Sequence, residues 1–141
     1  MEEQYFSEFE IDMHDVKDHY KSRKDVSKRL KGCMQNGDQK EYVELALGIT
    51  DPLGNYSAHE HSLGPRILEN NSISSIYKLA QRLASEELKI TNLPKIIYQA
   101  NLSYLKISVG SEMTSLLQPD RFWIGNVRTI WSHLVVKNQG D

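Results

Sequence analysis

Hydrophobic positions along this chain recur at helical spacing in nearly every segment. The densest run covers residues 93–109. At about 100° per residue, Ile96, Ile97, Ala100, Tyr104 and Ile107 form one apolar face there, and Tyr98, Leu102, Leu105 and Val109 form a second. Polar positions shrink to a strip of Lys95, Gln99, Ser103 and Lys106. A helix that is apolar on two sides is normally buried between neighbours. The pattern therefore predicts a single helix over 93–109, opened by Pro94 and capped by Thr91 or Asn92, at the centre of a bundle.

The same periodicity predicts helices on either side. Phe6, Phe9, Met13, Val16 and Tyr20 place an amphipathic helix over 5–20, where a strand is the rival reading because Phe9, Ile11 and Met13 alternate with acids. A second helix carries Val26, Leu30 and Cys33 or Met34 inward and ends at Gly37. A third covers 39–49, with Tyr42, Ala46 and Ile49 on one side and Leu45 beside them. Ser72 caps a further helix reaching about Leu88, with Ile73, Ile76, Tyr77, Ala80, Leu83 and Ala84 on its inner arc. Gly110 reads as a break, after which Ser111 caps a short helix to Leu117, with Glu112 in its first turn. Pro119 opens the last helix, over 119–136, whose core line is Trp123, Val127, Ile130 and Leu134. Phe122 projects away from that line, beside Asn126, Thr129 and His133, as an exposed aromatic edge.

Between the third helix and Ser72 the period fails. Residues 50–71 hold Asp51-Pro52, Gly54-Asn55, Gly64-Pro65 and Asn70-Asn71, which are turn chemistry. This predicts a long loop, with one helical turn available after Pro65. A connection of that length in a compact domain is functional, omega-like, or hides a short element.

Composition narrows the class. Hydrophobic residues at 39% and charged residues at 26% are ordinary for a globular chain of 141 residues, which predicts one helical domain with frayed residues 1–4 and a tail at 138–141. A net charge of −2 gives no global pull toward nucleic acid or anionic membrane. Charge is nevertheless segregated. Residues 1–18 hold seven acids against Lys17, whereas Lys21, Arg23, Lys24, Lys28, Arg29 and Lys31 face only Asp25. Such a basic run suits phosphate or an acidic partner, or is a solvated face that answers the preceding acids. One cysteine, Cys33, suits a reducing compartment, the acidic start lacks an apolar signal region, and no apolar run approaches the ~20 residues of a span. The expectation is a soluble, cytoplasmic protein.

Three groups of residues have chemistry to offer. Arg128 and His133 stand at Arg-x4-His spacing, which resembles the Arg-x4–6-His motif of HEPN domains, small helical proteins of which many pair as dimers and some cleave RNA. That resemblance implies phosphate stabilisation by Arg128 and proton transfer by His133. His59 and His61, in an extended segment, would aim two imidazoles to one side and are the metal candidates, although their spacing matches no named metal motif. Asn101 and Ser108 fall inside the apolar surround of the 93–109 helix, with Tyr104 and Glu112 as partners, and would form either a structural hydrogen bond or a small-ligand pocket. Nothing indicates a cofactor, and glycine-rich phosphate loops, HExxH, GxSxG and CxxC motifs are all missing from the sequence.

The sequence thus predicts an all-α bundle of five to seven helices. Its leading function is a binding or regulatory module acting through protein contacts, homodimeric through Phe122, Asn126, Thr129 and His133. HEPN-like RNA cleavage or binding and small-ligand binding are the alternatives.

Overall fold

A computed structural model describes residues 21–122 of the chain. Over that range the protein is all-α, with seven helices and no strand among the described residues. They are α1 (21–36), α2 (Gln39–Ala46), α3 (Tyr56–Glu60), α4 (Leu63–Asn70), α5 (Ile73–Leu83), α6 (Leu93–Ala100) and α7 (Ile107–Leu117). Single 3-10 turns occupy Pro52–Gly54 and Ile90–Asn92. No helix among the described residues is long and apolar enough to cross a membrane. The predicted helix over 5–20 lies outside the described residues, as does the one over 119–136 from Trp123 onward; its first positions, 119–121, are a turn.

Local chemistry sets most helix ends. Gly37 and Gly48 take φ of +71° and +70°, a region that glycine enters without a Cβ clash. Around each, the next residue donates five positions back, Asp38 to the Cys33 carbonyl at 3.0 Å and Ile49 to that of Glu44 at 3.0 Å. The glycines themselves donate to Met34 at 3.2 Å and Leu45 at 3.0 Å, which completes a paired-bond helix stop at both places. Ser72 accepts from the Ser75 N–H at 3.1 Å and so caps α5. Val26, Leu30 and Cys33 of α1 and Ile76, Tyr77, Ala80 and Leu83 of α5 are buried, as their spacing predicts; Leu79 joins them.

Three expectations change. The helix predicted over 93–109 is two helices with a six-residue link. Asn101 enters the left-handed region at φ +52° and closes α6, and Tyr104 follows at φ +66°. Asparagine tolerates that region better than most residues, and the irregular link lets Leu102 and Leu105 both turn into the core. Asn71 fastens the link by accepting from the Ser103 N–H at 3.0 Å and donating to the Ser103 carbonyl at 2.9 Å. Gly110, in turn, breaks nothing. It lies within α7, where a Cβ would come within 2.6 Å of Ile97 Cδ1, so α6 and α7 approach closely there and a larger residue would force Ile97 to move.

The stretch 50–71 is not an irregular loop. Its turn residues punctuate short helices: Pro52 opens a 3-10 turn, Asn55 caps α3, and Pro65 sits in the first turn of α4, where its missing N–H costs no helical bond.

The central element is therefore α7, which packs against α3, α5 and α6. Every residue from Val109 to Leu117 is buried. Its Ser111, Thr114 and Ser115 hydroxyls donate to the helix's own carbonyls of Ser108, Gly110 and Glu112, at 3.0, 2.8 and 3.1 Å, which satisfies them inside an apolar surround. At its end, Gln118 donates to the carbonyls of Leu83 and Ser85, at 2.8 and 2.9 Å, and anchors α7 to the exit of α5.

Candidate functional site: a cleft and the buried seam behind it

The short helix α3 joins two features. Toward the interior it meets a buried polar seam on α7. Toward solvent it forms one wall of a cleft.

Glu112 is 2% exposed and is the charged member of the seam. Its carboxylate accepts from the Tyr56 N–H, from the Ser57 N–H at 3.3 Å and from the Ser57 hydroxyl at 3.1 Å. These are first-turn donors of α3, and the positive end of a helix favours an anion there. Asn55, fully buried, completes the cap: its Oδ1 accepts from the Ala58 N–H at 3.1 Å while its Nδ2 donates to the Val109 carbonyl at 3.0 Å. From the other side, α1 contributes Ser27, which donates to the Leu116 carbonyl, and Arg23, which donates to Ser115 Oγ at 3.4 Å. Partial burial lowers the Arg23 pKa from its usual value, and the opposite charge of Glu112 offsets part of that. The carboxylate is thus consumed in holding α3, α7 and α1 together.

The cleft lies between the C-terminus of α2 and the α3–α4 pair. It has a volume of about 220 Å³, and Leu47, Ile49, Ala58 and Pro65 give it apolar walls. His59 and Ser62 supply its polar groups, and Gly48 and Gly64 complete the lining. Ile49 is 40% exposed, so a large aliphatic side chain is left partly in water at this site. Ser62 is a non-glycine residue at φ +53° and gives α4 no side-chain cap. The His59 ring and the Ser62 hydroxyl share no hydrogen bond, the contact that an activated serine needs.

The residues singled out by sequence fall in separate places. Asn101 and Ser108 are both exposed and do not share an enclosed pocket, because the helix that would have buried them together ends at Asn101. Tyr104 is also exposed, with the Arg66 guanidinium 5.9 Å from its ring centroid. Glu112 is buried, and its carboxylate is bonded to α3 and to none of the three. His59 lies in α3 and His61 is its C-cap, so the segment is helical rather than extended. Two positions at ~100° each turn the rings apart. No group of three or more His, Cys, Asp or Glu among the described residues is placed to hold a metal ion. Phe122 is 4% exposed and belongs to the core, not to an exposed edge; residues 119–121 form a turn that directs it inward beneath the Arg121 guanidinium, 4.9 Å from its ring. Asn126, Arg128, Thr129 and His133 lie outside the described residues.

Sequence reasoning passed over Asn55, Ser57, Ser27 and Arg23. Asn55 carried a signal, an Asn just before a short helical run. The others carried none, since their partners lie more than 50 positions away. In comparisons with known proteins, no family model matches the chain, and neither does any curated protein or solved structure.

Proposed function

We propose that this chain is a binding module that acts through protein contacts, and that the cleft beside α3 receives an aliphatic side chain of a partner protein. The observation that carries this reading is the size and lining of the cleft. At about 220 Å³ it falls below the roughly 300–1,000 Å³ of typical small-molecule sites. Four apolar walls and two polar groups suit a Leu or Ile anchor with its backbone hydrogen-bonded at the mouth. Self-association belongs to the same reading.

The test is selection of binders from a random peptide library by the full chain, with the Ile49→Asp variant as the counter-selection. Ile49 is partly exposed, so the variant should keep the fold, which its circular dichroism checks. Enriched peptides should share an aliphatic residue, bind at least about tenfold more weakly to the variant, and shift the amide resonances of Leu47, Ile49 and His59. A library that enriches nothing over the variant, or peptides whose shifts map elsewhere, overturns the proposal.

A further inference from the structure

The solvent face of α1 is a lysine stripe. Lys21, Lys24, Lys28 and Lys31 recur at spacings of 3, 4 and 3, and all four are exposed. At ~100° per residue they fall within an arc of about 80°, opposite Val26, Leu30 and Cys33 in the core. No acid lies inside the arc. Asp25 flanks it, and Arg29, outside it, reaches Asp51 at 3.5 Å. None of the four ammonium groups forms an ion pair with another described residue. The stripe runs for ~15 Å, and like charges at these spacings destabilise a helix in isolation. An anionic partner would turn that penalty into attraction.

The chain itself carries such a partner. Residues 1–18 hold seven acids and one lysine, immediately before the stripe. We propose that the stripe of one copy docks the acidic residues 1–18 of a second copy, and that the reciprocal contact makes an antiparallel, two-fold homodimer. An acid-then-base order along one chain sets acid over base twice when two copies run antiparallel, which is the self-complementarity that a two-fold interface requires. This inference rests on the reading of the protein as a protein-contact module, but not on the cleft.

Charge-swap variants of the full chain, followed by light scattering and sedimentation, test it. The wild type should be dimeric in low salt and dissociate toward 1 M salt, where screening shortens to ~3 Å. Exchanging the four lysines for Glu, or Glu8, Glu10, Asp12 and Asp15 for Lys, should each give a monomer with unchanged circular dichroism. Mixing the two variants should restore a dimer containing one of each. Changing the four lysines to Gln, a milder variant, should weaken the dimer on the order of tenfold or more. Ile49→Asp should leave the dimer intact while abolishing cleft binding, which separates this proposal from the previous one. A wild type that stays monomeric at high concentration in low salt overturns it. So does a dimer indifferent to both swaps, or a monomer that binds duplex RNA or DNA through these lysines.

Discussion

Ser57 donates twice to Glu112: its backbone N–H and its hydroxyl both reach Oε1, at 3.3 and 3.1 Å. A five-residue helix has too few internal bonds to persist alone. A buried carboxylate on the central helix therefore substitutes for the missing turns and fixes α3, and with it the Ala58 and His59 wall of the cleft.

Glu112→Gln keeps the shape and one acceptor but turns an amide NH2 toward a backbone donor. It should lower stability by about 2 kcal/mol, the scale for hydrogen bonds to a buried charged group. Urea denaturation measures this, and a loss below about 0.5 kcal/mol would show that α3 does not depend on the carboxylate.

Arg23 and Glu112 should be energetically coupled across the α1–α7 contact. Arg23→Met alone leaves the buried carboxylate without its nearby positive charge and should destabilise; in the Glu112→Gln background the same change removes a partly buried, unopposed guanidinium and should cost clearly less. A four-member double-mutant cycle reads the difference. Additivity within about 0.3–0.5 kcal/mol would mean that the two groups are independent.

How much of this was legible beforehand depends on how far each cause lies along the chain. Ser72 and Gly37 end helices through bonds to residues within five positions, and both ends are plain in the sequence. The break at Asn101 has no glycine or proline to announce it; Leu102 and Leu105 decide it by packing into a core built from distant segments. Phe122 reads as exposed only if the helix runs straight on from Pro119, and the turn there reverses the inference. In residues 50–71 the turn dipeptides are plain in the sequence, but a local pattern does not tell loop filler from the ends of short helices, which is what Asn55 and Asn71 mark for α3 and α4. The seam was least legible, because a carboxylate that serves Tyr56 and Ser57 from position 112 leaves no local pattern.

The close contact of α6 and α7 predicts that Gly110→Ala destabilises, although alanine is the better helix former by about 1 kcal/mol. The new Cβ would lie 2.6 Å from Ile97 Cδ1 and 2.9 Å from its Cγ1, and Ile97 is fully buried with little room to shift. Overpacking of this kind costs about 1–3 kcal/mol. Ile97→Ala opens a cavity when made alone, but combined with Gly110→Ala it should cost less than the sum. Thermal unfolding of the three variants decides, and a Gly110→Ala protein more stable than wild type would refute the contact.

Tyr42 poses the opposite problem, a buried polar atom left unbonded among the described residues. It is fully buried, its ring meets that of Tyr77 edge to face at 5.7 Å, and its hydroxyl has no hydrogen-bond partner among the described residues. Tyr77 escapes this by donating to the Met34 carbonyl at 3.3 Å. Tyr42→Phe should therefore raise stability at pH 7 by about 1 kcal/mol, since it removes an unsatisfied buried group without a change of shape. Burial, followed by the nearby Tyr77 and Cys33, also pushes the Tyr42 pKa well above its ordinary value of 10.0. An acid raised in this way stabilises the fold fully below its unfolded pKa. Above about pH 10 only the unfolded chain ionises it, so stability falls as pH rises. Cys33, raised from 9.0 chiefly by burial, adds an earlier loss from about pH 9. Denaturant titrations at pH 7, 9.5 and 10.5 should show the later loss shrinking in Tyr42→Phe and the earlier one in Cys33→Ala. A Tyr42→Phe protein less stable than wild type at pH 7 would mean that the hydroxyl is bonded in solution.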